Sequence, residues 1–246
     1  MRVLLLGGTA EARALAERLH PDTEIISSLA GRVPDPALPV GRVRIGGFGG
    51  VDGLREWLSD NDITAVVDAT HPFAATITAN AAAACAELGI AHVVLSRPPW
   101  DPAGATLVTS DAEAAEVIAD RGYSRVFLTT GRSGTAAFSE SDAWLLIRVV
   151  TAPNPEALPP NHELVFSRGP YHFADECELL RSRGIEVLVT KNSGGALTEA
   201  KLAAARELGV DVVMIQRPAQ PNGVAEVGSV QEALAWVLSR VSAGPV

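Results

Sequence analysis

The chain has 246 residues, 47% of them hydrophobic and 5% aromatic, with a formal net charge of −9. That length holds one large domain or two small ones, and the acidic balance argues against a general nucleic-acid surface. No apolar run reaches the roughly 18–20 residues of a membrane span, so a soluble cytoplasmic protein is expected, without membrane or nucleic-acid partners and monomeric or weakly self-associating.

The first apolar run predicts a buried parallel strand over 2–6, and Gly7-Gly8-Thr9 follows it at once. The glycines permit a tight turn close to a phosphate, and the helix predicted over 10–19 would aim its N-terminal N–H groups at that anion. The motif is not a full G-x-G-x-x-G, and a plain tight turn is the alternative. A second strand is predicted over 24–29. Dinucleotide folds usually place an acid at its end for the ribose 2′-hydroxyl. Here stand Ser27, Ser28, Gly31 and Arg32 instead, residues that suit a 2′-phosphate. The expected cofactor is therefore NADPH, unless Arg32 is only a surface arginine.

A short strand over 43–45 leads into Gly46-Gly47-Phe48-Gly49-Gly50, with a helix over 51–59 after it. Gly47 and Phe48 become cofactor candidates, because such a loop can bring main chain against a flat ligand. A flexible turn with Phe48 plugging the core is the other reading. The strand over 65–68 ends in Thr70-His71-Pro72-Phe73, placed for the nicotinamide side of a dinucleotide site. His71 could supply a proton or hold a carboxylate, or it could cap the helix over 74–88. A strand over 92–96 closes this half, and Arg97-Pro98-Pro99-Trp100-Asp101-Pro102 cannot continue a central strand.

The second half repeats the style. Strands are predicted over 106–108, 125–129, 144–150, 164–167, 186–190 and 212–216, and helices over 112–120, 173–183, 197–208 and 230–241. Alternating strands and helices predict an α/β protein with two Rossmann-like lobes, mostly parallel sheets and a cleft between them. The expected units are 1–98 for the nucleotide and 103–246 for the substrate, with the packing of the last helix left open.

Ligands in such sheets lie beyond the carboxyl ends of the strands. Five cations stand there: Arg97, Arg132, Arg168, Lys191 and Arg217. In a negative chain they would focus a polyanion, unless some of them pair with acids. Thr130, Ser193 and Gly194 join them as substrate candidates, and Lys191-Asn192-Ser193-Gly194-Gly195 repeats the layout of the first glycine turn. Lys191 and His71 are the candidate proton donors. Cys85 and Cys177 form no C-x-x-C, and the other histidines show no metal spacing. Neither Tyr123 nor Tyr171 has a lysine four residues on, and no G-x-S-x-G or Walker motif is present.

Several of these segments together resemble a known family. LLLGGTAEARALAERL, the Ala30-Gly31-Arg32 turn, IGGFGG-VDGLREWL, DATHPFA with Asn80-Ala81, SRPPW, the TTGR and SRGP turns, and TKNSGG followed by KLAAARELG are similar to the precorrin-6A/cobalt-precorrin-6A reductases of the cobalamin pathway, over about residues 1–220. The resemblance implies two Rossmann-like lobes and reduction of a double bond in a carboxylate-rich tetrapyrrole, precorrin-6A, to give precorrin-6B. Close relatives take the cobalt-containing form, often with NADH. Ser28 and Arg32 favour NADPH and hence the metal-free substrate. A transferase using S-adenosylmethionine is the rival enzyme reading, and the acid it would need at the end of the second strand is missing. A non-catalytic NADP sensor is the rival outside enzymes, and it would not need five cations at the strand ends, four of them in the second half.

Overall fold

The computed structural model describes residues 1–31 and 37–242. In chain order the elements begin β1 (Arg2–Leu6), α1 (Ala10–Leu19), β2 (Glu24–Leu29), β3 (Arg42–Ile45), α2 (Gly50–Asp60) and β4 (Ala65–Asp68). Next come α3 (Ala75–Leu88), β5 (Ala91–Leu95), β6 (Thr106–Val108), α4 (Asp111–Asp120), β7 (Arg125–Leu128) and β8 (Trp144–Val149). The chain continues through β9 (His162–Phe166), α5 (Phe173–Ser182), β10 (Val187–Lys191) and α6 (Ala200–Leu208). It ends with β11 (Asp211–Ile215), β12 (Ala225–Val227) and α7 (Val230–Ser242).

Two six-stranded sheets result, ordered β12-β5-β4-β1-β2-β3 and β6-β11-β10-β7-β8-β9. Every described pairing is parallel. Parallel sheets are stable only with both faces covered, which is why the central strands read as unbroken apolar runs. In the first unit, Val3, Leu5 and Val67 face Leu15 and Leu19 of α1 and Ala233 and Val237 of α7. Leu4, Leu6 and Val66 face Leu54 and Leu58 of α2 and Ala81 and Ala84 of α3. The alanines of α3 keep that helix close to the sheet. In the second unit Phe127, Leu146 and Leu188 pack on Leu180 of α5 and on Ala204 and Ala205 of α6. Full burial of each large side chain contributes about 1.5–3 kcal/mol.

Each sheet takes its sixth strand from the segment that has just crossed over from the other unit. The units are Met1–Pro98 with Pro218–Val246, and Pro99–Arg217. Residues 218–246 therefore do not belong with 103–217, as the domain boundaries read from the sequence had them. The reason lies in two contacts. β12 pairs in register with β5, Ala225 with Val93 and Val227 with Leu95. α7 sets Val230, Ala233, Leu234 and Val237, spaced for one helical face, against α1.

Smaller differences follow from local chemistry. β9 begins at His162, two residues before the predicted strand. The helix predicted over 197–208 is split into a 3₁₀ turn, Ala196–Thr198, and α6 from Ala200. Both cysteines are buried free thiols, and burial pushes Cys85 up to about 12. Among the described residues no helix is long and apolar enough to cross a membrane, and no cluster of three or more His, Cys, Asp or Glu could hold a metal.

Candidate functional site

In the first unit the sheet runs β3-β2-β1-β4-β5-β12, the 3-2-1-4-5-6 order of dinucleotide-binding sheets. The direction of winding reverses between β1 and β4, which opens a crevice at their carboxyl ends. Gly7-Gly8-Thr9 lines it. Gly8 has a φ of +112°, which excludes most side chains. Gly7 N–H donates to Ser28 O at 2.9 Å. Thr9 caps α1 by accepting from Ala12 N–H at 3.1 Å, and its hydroxyl donates to Ala69 O at 2.7 Å. One threonine thus sets the helix N-terminus and ties it to the end of β4.

Arg32 lies outside the described residues. Gly31 is described, with φ at +70°. At Ser28 a different cation appears. Arg44 of β3 is the register partner of Ser28 and donates Nη1–H to its hydroxyl at 2.8 Å. The same guanidinium donates to Gly46 O and Gly47 O, both at 2.9 Å. It stacks 3.8 Å from the Phe48 ring centroid, and Phe48 meets Trp57 edge-on at 5.4 Å. Gly47 and Phe48 therefore hold Arg44, with Phe48 also packed against the α2–α3 core. Burial draws the guanidinium pKa below its usual value, yet it remains charged. The sequence reading missed Arg44, since a cation in a four-residue edge strand carries no signal by itself.

At the end of β4, Asp68 is 1% exposed, and its Oδ1 accepts from Thr70 N–H at 3.0 Å and from the Thr70 hydroxyl at 2.6 Å. His71 Nδ1 accepts from Phe73 N–H at 3.2 Å. In a neutral ring that puts the proton on Nε2. Thr70 and His71 line a pocket of about 260 Å³ with Thr78, Ser96 and Gln220. Arg97 pairs with Glu11 of α1 at 2.9 Å.

The second sheet reverses its winding between β7 and β10. Lys191, at the end of β10, donates to Thr130 O at 3.1 Å and lies 3.3 Å from Asp111 Oδ2. Asp111 was not among the sequence candidates. It follows the N-cap Ser110, whose hydroxyl accepts from Glu113 N–H, in the first turn of α4, where an acid is unremarkable. Thr130 is 6% exposed. The loop after Lys191 is braced. Asn192 exchanges two hydrogen bonds with the Trp100 backbone, 2.8 and 3.1 Å, and Trp100 Nε1–H donates to Gly195 O at 3.0 Å. Arg217 donates to Asn192 O at 2.8 Å and Ser193 O at 3.1 Å. Gly194 is buried within this turn with φ at +67°. The 3₁₀ turn ahead of α6 also separates it from the helix, so it does not repeat the strand–turn–helix layout of Gly7–Thr9. Arg132 and Arg168 are exposed.

Comparison with known proteins gives a consistent picture. Residues 2–238 match the family model described as "Precorrin-6x reductase CbiJ/CobK". The chain is 68% identical to a precorrin-6A reductase of Mycobacterium tuberculosis, covering 96% of this chain and 97% of that protein. It is 54% identical to one of Rhodococcus erythropolis, over 96% and 97%. A cobalt-precorrin-6A reductase of Methanothermobacter thermautotrophicus is 32% identical, over 97% and 84%. A solved structure titled "CobK precorrin-6A reductase" superposes with a TM-score of 0.89 at 40% identity, covering 97% of this chain and 96% of that one.

Proposed function

The chain belongs to the precorrin-6x reductase family, and on that premise we propose that it reduces one double bond of precorrin-6A, with NADPH as reductant, to give precorrin-6B. When bound, the nicotinamide cofactor would supply a hydride for one carbon of the conjugated system, and a proton would be needed at the neighbouring carbon. The protein's own work is to hold and orient. The Gly7-Gly8-Thr9 turn and the α1 N-terminus suit a pyrophosphate. The pocket beside Thr70 and His71 suits the nicotinamide half. His71 is one candidate donor, Lys191 is the other, and ordered water competes with both.

The observation that carries the cofactor choice is the end of β2. Near the end of β2, where an NAD site would present a carboxylate, the Ser28 hydroxyl accepts from the Arg44 guanidinium, while Ser27 is buried within the strand. The metal-free substrate is favoured by the higher identity to relatives named precorrin-6A reductase than to those named for the cobalt form. In the second unit Arg132, Arg168, Lys191 and Arg217 suit the carboxylates of a tetrapyrrole, with Thr130, Ser193 and Gly194 beside them, and Arg97 is a further cation in the first unit.

The test is anaerobic turnover of precorrin-6A with NADPH, followed by absorbance. Beside it, thermal stability is titrated with NADPH, NADH and S-adenosylmethionine, since a ligand held only by the native state stabilises by RT ln(1 + [L]/Kd). Stabilisation by NADPH above that by NADH supports the reading. Turnover only with NADH, or stabilisation only by S-adenosylmethionine, refutes it.

A further inference from the structure

Arg44 stands in β3 directly opposite Ser28 of β2. We infer that its guanidinium, aligned by Ser28, receives the 2′-phosphate of the adenosine ribose and sets the preference for NADPH. This rests on the NADPH reading above and deepens it.

Position is the first argument. Leu6, Ser28 and Arg44 share one register line across β1, β2 and β3. The guanidinium strand therefore lies two inter-strand spacings, about 10 Å, from the strand that carries the glycine turn. A ribose lying over the end of β2 would project its 2′ substituent toward β3.

Charge is the second. Arg2, Arg55 and Arg97 in the same unit each pair with a carboxylate. Among the described residues Arg44 pairs with none, and its acceptors are a hydroxyl and two carbonyls. A partly buried cation with only neutral partners among the described residues is complementary to an anion that arrives with the ligand.

Geometry is the third. Of the five N–H donors of a guanidinium, Nη1 spends both on Ser28 and Gly46, and Nη2 spends one on Gly47. Among the described residues nothing accepts from Nε–H or the second Nη2–H, the two donors that suit a phosphate oxygen pair. The plane is fixed by the Phe48 face at 3.8 Å, itself backed by Trp57. An arginine held so firmly loses little further entropy on binding.

The rival role is a staple that only orders the glycine loop, and the experiment separates the two. Binding of NADPH, NADH, 2′-AMP and 5′-AMP to the full chain is measured by calorimetry for the wild type, Arg44→Gln, Arg44→Lys and Ser28→Ala. Loss of charge-assisted hydrogen bonds predicts NADPH and 2′-AMP weakened roughly 10- to 100-fold in Arg44→Gln, with NADH and 5′-AMP within about twofold of wild type. Arg44→Lys, which keeps the charge without the fork, should fall between. Should Arg44→Gln fail to fold, Arg44→Lys and Ser28→Ala carry the comparison, each lowering the NADPH to NADH ratio. Equal weakening of all four ligands, or a preference that survives, overturns the role of Arg44 and leaves NADPH as cofactor. A wild type that binds NADH as tightly as NADPH overturns the cofactor reading itself.

Discussion

Lys191 and Asp111 form an ion pair, 3.3 Å from Nζ to Oδ2, at the winding reversal of the second sheet. The ammonium also donates to Thr130 O, so strand, loop and helix start all fix where it points. A cation oriented in this way is suited to gripping a substrate carboxylate. We expect Lys191→Ala to raise the KM for precorrin-6A about 10-fold or more, the worth of a charge-assisted hydrogen bond, with kcat little changed. His71→Ala should instead lower kcat about 10²-fold, the scale of lost general-acid help. Steady-state kinetics separates the two, and near-normal kcat in both variants assigns the proton to water.

The strands were legible because Leu4, Leu5, Val66 and Val67 form runs that only a sheet covered on both faces requires. The Gly7–Thr9 turn was legible because glycine and a cap residue follow a strand directly. Arg44 was not, since its meaning comes from lying opposite Ser28, and strand register is a tertiary fact. Asp111 was hidden inside a good helix cap. The pairing of Arg97 with Glu11 spans 86 positions, beyond any local pattern. β12 was missed because Ala225-Glu226-Val227 has too few apolar residues to announce a strand. Its partner β5 supplies what the segment lacks, and with it goes the assignment of α7.

Arg148 and Glu176 meet through two hydrogen bonds, 2.7 and 3.0 Å, and are 8% and 2% exposed. The guanidinium also lies 4.0 Å from the Tyr171 ring centroid, and Tyr171 O–H donates to Ser167 O, bracing the turn that bears Arg168. Removing one partner strands a buried charge. Glu176→Ala should cost about 3–5 kcal/mol, whereas replacing both with Met and Leu should cost far less. Urea unfolding monitored for the second unit is the measurement, and equal losses in the single and double variants would contradict this account.

His92 of β5 has both ring nitrogens buried without a partner among the described residues. Burial lowers its pKa, and the nearby Asp68 charge only partly opposes that. The folded value thus lies below the unfolded one of about 6.5. Above that pH the ring is neutral in both states and stability is full. As the pH falls below it, the unfolded chain takes up the proton more readily, and stability declines until the folded ring titrates too. A Tm that drops between pH 8 and pH 5 in the wild type, and drops less in His92→Leu, is the expected result. His92→Leu should also match or exceed the wild type at pH 8, because it removes unsatisfied polar atoms.

Gly134 shows how closely the second reversal point is built. Its φ is −84°, so any residue could adopt the backbone. Space is what forbids a side chain. A Cβ there would collide with Thr130 Oγ1 and with Asp111 Oδ1, two buried oxygens without partners among the described residues. Gly134→Ala must therefore push Asp111 or Thr130 aside, at about 1–3 kcal/mol for overpacking. Both of those residues hold Lys191, so the same change should raise the KM for precorrin-6A in the direction of Lys191→Ala, by less. Binding of the nicotinamide cofactor, which the proposal assigns to the first unit, should not move. Gly131 provides the contrast. It has φ at +78° and open space around a Cβ, so Gly131→Ala should cost about 1–2 kcal/mol of backbone strain and leave Lys191 where it is. Equal KM values for the wild type and Gly134→Ala, alongside a raised KM in Lys191→Ala, would mean that Asp111 does not govern the position of that ammonium.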